Sequence, residues 1–221
     1  MIVGITGGIA TGKTTVTSML QVRGAVTFSA DEAARAILYK NGPAYIQVVS
    51  TFGDRVITDS GEIDRAVLGS IIFQDEDSRL ALNAIMHPQI RRLLFEQIES
   101  AKYDFPLPNI IITEIPLLYE GRLESWFEHV VVVAASVTVQ TNRLVQRNQL
   151  SETQAAKRIQ VQMPLAEKIA QASYVVWNDG DIEELSPQVD NLWKNLVERA
   201  SPGNSSQVRA KEQFKKSACV L

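Results

Sequence analysis

The sequence predicts an α/β protein: a parallel central sheet covered by helices, with a helical block inserted between strands and a small helical lid. Three observations predict it. Short apolar runs rich in β-branched residues (Ile2-Val3-Gly4-Ile5, Asn109-Ile110-Ile111-Ile112-Thr113, Val130-Val131-Val132-Val133-Ala134) have the length of strands and no polar face, as buried parallel strands do. They alternate with segments whose apolar residues recur at helical intervals. The first run leads directly into Gly7-Gly8-Ile9-Ala10-Thr11-Gly12-Lys13-Thr14-Thr15, which fits the phosphate-loop pattern Gly-x-x-x-x-Gly-Lys-Ser/Thr between a strand and a helix.

The residue types of that loop carry its chemistry. Gly7 and Gly12 permit backbone angles that a side chain forbids, so the N–H groups of Gly8, Ile9, Ala10, Thr11 and their neighbours can turn inward around phosphate oxygens. The helix that begins near Lys13, Thr14 and Thr15 adds unpaired N–H groups and a partial positive charge. Lys13 can reach the outer phosphates, and the Thr14 hydroxyl can ligate a magnesium ion bridging them.

The remaining elements follow in order. Ala25-Val26-Thr27-Phe28 reads as a second strand and Glu32–Leu38 as a helix, which puts Asp31 just past the strand's carboxyl end, the edge where open α/β sheets bind ligands. Asp31 also suits a helix cap, and position alone does not separate the two roles. Residues 41 to about 100 turn mostly helical: Ala44–Phe52, a helix capped by Asp64 with Val67, Leu68, Ile71 and Ile72 inward, and a face of Leu80, Leu82, Ile85 and Met86. His87-Pro88 is expected to end that face and separate it from Gln89–Leu94. This block reads either as a substrate-binding subdomain or as a layer over the sheet.

Glu114 emerges from the end of the Asn109–Thr113 strand, where a second acid could stand close to the magnesium. Thr138–Asn148 reads as a helix with Arg143 and Arg147 on one face. Ser151-Glu152-Thr153-Gln154 reads as a capping box, and Pro164 starts a further helix. Arginines on helices near a phosphate site suggest a lid closing over charge; a solvated face is their plainer reading. Tyr174–Trp177 is a last strand, and Ile182–Ala200 an amphipathic helix with Leu185, Val189, Leu192, Trp193 and Leu196 inward. From Ser201 the chain reads as a polar tail, expected to be mobile and dispensable.

Composition sets bounds. At 221 residues with a net charge of −3, the chain can bury a sizeable core and has no overall basic character to suggest nucleic acid. Cys219 is the single cysteine, so no internal disulfide is possible. Neither a signal peptide nor a membrane span is legible, and a cytoplasmic protein without membrane partners is expected.

Several stretches together resemble the dephospho-CoA kinase family. They run from Gly4-Ile5-Thr6-Gly7 and the loop through Ala30-Asp31 with Ala34-Arg35, Phe52-Gly53 and Ile63-Asp64-Arg65. His87-Pro88-Gln89-Ile90-Arg91, Ile115-Pro116-Leu117-Leu118-Tyr119-Glu120, Gln140 with Arg143 and Arg147, Arg158-Ile159 with Gln162-Met163, and Asn178-Asp179-Gly180 follow in order. The resemblance implies a three-layer P-loop NTPase core at about 1–40, 106–138 and 173–200, a helical CoA-binding insertion at about 41–105 and a small lid at about 139–172, all one unit over 1–200. It implies ATP and Mg²⁺, with dephospho-CoA as acceptor. It casts Asp31 as the base, Lys13 and Thr14 at phosphates and metal, Arg143 and Arg147 at the lid, Asn178 near adenine, and Arg65, His87, Arg91, Pro116, Leu117 and Leu118 on the acceptor side. The chain departs from the family at Ser29 and Glu114, at Asn148 and Ser173 where Asp is common, and at Ala10-Thr11 in place of Gly-Ser. A kinase for another small hydroxyl-bearing acceptor would share the loop without the His-Pro-x-Ile-Arg stretch. A GTPase-like switch would need an Asn-Lys-x-Asp motif that this chain lacks.

Overall fold

A computed structural model describes residues 1–40, 42–104 and 110–201. The chain separates into two compact units: Met1–Phe28 with the segment from Ser100 onward, and Ser29–Glu99. The second unit starts at Ser29, not near residue 41 as expected, because the helix after Asp31 contributes Ile37 and Leu38 to the helical block's own core. The lid expected over 139–172 belongs to the first unit.

The first unit is built on a five-stranded sheet of β1 (Ile2–Gly7), β2 (Val26–Ser29), β3 (Ile111–Glu114), β4 (His129–Ala134) and β5 (Tyr174–Trp177), in the order β2-β3-β1-β4-β5. β1 runs parallel to β3 and β4, and β4 parallel to β5. Asn109, expected to open the third strand, lies outside the described residues.

Alternation along β1 shows why the run is apolar on both faces. Val3 and Ile5 join one core with Val16 and Leu20 of α1 (Lys13–Val22) and with Leu185, Val189, Leu192 and Leu196 of the carboxyl-terminal helix (Ile182–Ala200). Each such side chain fully buried stabilises the fold by about 1.5–3 kcal/mol relative to leaving it exposed. Gly4 faces the other way, where a Cβ would meet Leu118 Cδ1 at 2.7 Å and Phe127 Cδ2 at 2.8 Å, so the close approach requires glycine.

The segment expected as a lid folds as α6 (Val137–Asn148), α7 (Glu152–Gln160) and α8 (Leu165–Gln171). The expected capping box is present: Gln154 N donates to Ser151 Oγ at 3.2 Å, and Ser151 N to Gln154 Oε1 at 2.9 Å. Beyond Ser201 the tail, with Cys219, lies outside the described residues. Among the described residues no helix is long and apolar enough to cross a membrane.

The second unit holds α2 (Ala30–Ile37), α3 (Tyr45–Phe52), α4 (Arg65–Gln74) and α5 (Glu76–Asp104) around Ile37, Val48, Phe52, Val56, Leu68 and Met86. Asp64 caps α4 as expected, its Oδ1 accepting from Ala66 N at 2.9 Å and Val67 N at 3.0 Å. His87-Pro88 does not break the helix: α5 runs unbroken for 29 residues with Pro88 inside it. Proline forgoes one bond to the preceding turn. Leu82 and Met86 before it, and Leu94 and Ile98 after it, are all buried, and this packing on both sides holds the two halves in one helix.

Candidate active site

The loop between β1 and α1 is held open by backbone conformations and by four side chains from distant parts of the first unit. Gly7 has φ +154 and Gly12 φ +89. A Cβ on Gly12 would collide with the Asn178 amide, and one on Gly7 with the Val133 carbonyl. Ala10 sits at φ +60, a left-handed position where glycine is easier, so the departure from the family's usual Gly-Ser stores a modest local strain. Thr11 is fully buried and its Oγ1 donates to Gly8 O at 3.0 Å, closing the turn from inside.

Lys13 opens α1 and is buried, with Nζ donating to the Gly8 carbonyl at 2.9 Å. Thr14 follows with an exposed hydroxyl that donates to Oε1 of Glu114 at 2.9 Å. Glu114 ends β3 and is buried. Parallel pairing brings these two together, since Glu114 is in register with Ile5 of β1. Among the described residues no cluster of three His, Cys, Asp or Glu side chains is placed to hold a metal. That donor set still fits magnesium. The ion takes hard oxygens, needs only one or two from the protein, and completes its shell with water and phosphate.

Asn178 follows β5 and is buried, with Nδ2 donating to Thr11 O at 2.8 Å. Its Oδ1 lies 3.5 Å from Nη2 of Arg143, whose Nη1 approaches Ala10 O at 3.4 Å. These are long contacts, and the guanidinium rests over the loop more than it is locked to it. Arg147, one turn along α6, donates Nε to Asn148 Oδ1 at 3.1 Å. Arg143, Arg147, Asn178 and Thr15 line one open cleft of about 570 Å³ together with Ile182 and Leu185. Its lining joins loop residues Ala10 and Gly12 and polar side chains to the apolar Ile182 and Leu185, the mix that small-molecule sites use.

Pro116 O accepts from Thr6 Oγ1 at 3.1 Å, which ties the β3 loop to β1. Leu117 is 48% exposed, while Leu118 is wholly buried against Gly4 and shapes the loop from below.

In the second unit, the helix cap at the end of β2 is Ser29, whose Oγ accepts from Glu32 N at 3.4 Å. Asp31 is exposed in the first turn of α2 and does not cap it. Among the described residues its carboxylate makes no hydrogen bond. Arg65 begins α4 and reaches the Arg35 carbonyl at 3.2 Å. His87 and Arg91 stand one turn apart on α5, and partial loss of hydration around the imidazole, then the Arg91 charge, holds His87 below its ordinary pKa.

Sequence reasoning gave no role to four residues that shape the loop's surroundings. Gln162 accepts from Ile9 N at 2.8 Å, and Gln140, nearly fully buried, donates to Ala135 O at 2.9 Å beside Gly8. Lys168, with no exposed surface, pairs with Glu120 at 2.8 Å. Ile9 lies 153 residues from Gln162, and Lys168 lies tens of residues from Glu120; no local pattern marks such pairs.

Sheet order, the glycine loop and the arginine-bearing helix α6 beside it define a nucleotide-binding phosphate-loop protein of the kinase class. The family model of dephospho-CoA kinases matches residues 1–184. The chain belongs to the dephospho-CoA kinase family. It is 41% identical to the Bacillus cereus dephospho-CoA kinase over 195 residues, covering 88% of this chain and 96% of the relative. It is 42% identical to that of Geobacillus kaustophilus over 187 residues, covering 85% and 92%. A crystal structure of a Thermus thermophilus protein superposes with a TM-score of 0.73 at 31% identity, covering 89% of this chain and 97% of that one. The Campylobacter jejuni dephospho-CoA kinase shares the fold at a TM-score of 0.69 and 24% identity, over 90% and 98% of the two chains.

Proposed function

We propose that this chain transfers the γ-phosphate of ATP to the ribose 3′-hydroxyl of dephospho-CoA, giving coenzyme A and ADP, the last step of coenzyme A synthesis. The observation that carries the reading is a fully formed phosphate loop in a chain that matches dephospho-CoA kinases over residues 1–184. The acceptor oxygen forms a bond to the γ-phosphorus as the bond to the ADP oxygen breaks, and the hydroxyl proton passes to the Asp31 carboxylate. Ser29 serves as the helix cap, which leaves Asp31 free for that proton. Lys13, Arg143 and Arg147 meet the phosphate charge, with the loop N–H groups of Gly8, Ala10, Thr11 and Gly12 as its cradle and Ile9 N–H turned to Gln162. Magnesium, when held at Thr14, neutralises phosphate charge and fixes the geometry of transfer. Asn178 faces the nucleoside end of the cleft. Arg65, His87, Arg91, Pro116 and Leu117 receive the acceptor, with the Ser29–Glu99 unit as the CoA-binding domain and α6–α8 as the lid. A cytoplasmic location suits the single cysteine and the net charge of −3.

ATP consumption measured with and without dephospho-CoA tests this directly. Consumption that depends on dephospho-CoA is expected; consumption indifferent to it would sink the reading. Asp31→Asn keeps size and removes basicity, so single-turnover transfer at saturating ATP, magnesium and dephospho-CoA should fall by about 10²–10⁴ while ATP still binds. A parental rate would take Asp31 out of the chemistry.

A further inference from the structure

Ile9 belongs to the phosphate loop, yet its N–H donates to a lid residue, Oε1 of Gln162, at 2.8 Å. A backbone N–H can only donate, so the side-chain atom facing it is the oxygen and the orientation of the amide follows. The NH₂ group, on the same planar amide, then stands at the rim of the loop. Among the described residues Nε2 of Gln162 has no hydrogen-bond partner.

The segment that carries Gln162 is pinned. α7 ends at Gln160 and α8 begins at Leu165, so Gln162 lies in the turn between them. Its neighbour Met163 donates N–H to Glu120 Oε1 at 3.0 Å. The same oxygen takes the Lys168 ammonium at 2.8 Å, and Lys168 is fully buried. A half-buried amide is thus brought to the loop on a fixed piece of backbone, its acceptor used and its donors unspent.

We propose that Gln162 is a phosphate-binding residue supplied by the lid: Ile9 N–H holds its Oε1, and its Nε2 donates to a phosphate oxygen of the bound nucleotide. It adds a neutral donor beside the charged Lys13, Arg143 and Arg147. The simpler alternative is that Gln162 only steadies Ile9. The reading rests on the proposed ATP-dependent transfer for its effect on rate, but not for its effect on ATP binding.

Two substitutions separate the possibilities. Gln162→Glu keeps an acceptor for Ile9 N–H and puts a negative oxygen where the donors stood. Gln162→Ala removes both. Calorimetric titration of the full-length chain with ATP and magnesium, beside single-turnover transfer to dephospho-CoA, gives the readout. Gln162→Ala should weaken ATP binding about tenfold, as loss of a hydrogen bond to a charged group does. Gln162→Glu should be weaker again by about as much, with transfer rates in the same order. Glu at the parent's level with Ala impaired would show that Gln162 only steadies Ile9 and overturn the inference. Ala binding as tightly as the parent, or more tightly, would overturn it too. If the parent shows no transfer to dephospho-CoA, the proposed function fails, while the order of ATP affinities still decides the role of Gln162.

Discussion

Lys13 is a charged side chain with little exposed surface, and its Nζ rests on the carbonyl of Gly8, a loop residue five positions earlier. That placement fits a cation held ready to meet phosphate charge. Lys13→Ala should therefore leave the fold intact and lower turnover by about 10²–10³, the loss seen when a preorganised electrostatic contact to a developing negative charge is removed. Steady-state rates beside a circular dichroism melt check this, and unchanged turnover in a folded variant would refute the role. At this scale the loop was legible, because its glycines, lysine and threonines are contiguous and their spacing is the signal. Asp31 was legible only as a pair of alternatives. The structure removes one, since Ser29 accepts the capping bond from Glu32. Asn178 could be placed only by the family resemblance. Its contact with the Thr11 carbonyl spans 167 residues, and no local pattern encodes that.

Helices and strands came through where one interaction range decides them. The capping box at Ser151, the Asp64 cap and the amphipathic stripe of the helix over Ile182–Ala200 all depend on residues within a turn or two. α5 shows the opposite case: proline chemistry argues for a break at Pro88, and buried residues on both sides override it. The attachment of α8 is likewise a matter of packing. Lys168 on α8 is fully buried, whereas the Glu120 side chain keeps 24% of its surface exposed. The asymmetry makes a prediction. Lys168→Met removes the buried charge and leaves Glu120 able to turn to water, so it should cost about 1–2 kcal/mol. Glu120→Gln strands a buried ammonium and should cost more, about 3 kcal/mol or above. Urea midpoints of the two variants decide the order, and equal losses would mean that the pair is not buried in solution.

Over the whole molecule, the two imidazoles link stability to pH. His129, at the start of β4, is held below its ordinary pKa by burial first and by Arg199 second, with Glu128 opposing. His87, in the other unit, is also lowered. The folded chain thus binds these protons less tightly than the unfolded chain, whose histidines titrate near 6.5. Stability is therefore fully present above that pH and is lost as pH falls through it toward the folded values. Thermal melts between pH 7.5 and 5.5, a window set around the histidine range, should show this decline, and His129→Gln should flatten it; a variant as steep as the parent would clear His129. The sequence by itself determined the fold class, the phosphate loop, most element boundaries and the family, because these are written in spacings of a few residues. Only the tertiary structure decided the strand order β2-β3-β1-β4-β5, the unbroken α5, the burial of Lys168 and the placement of Gln162 at Ile9. Each of those depends on which distant surfaces pack together, and burial makes that choice over the whole chain at once.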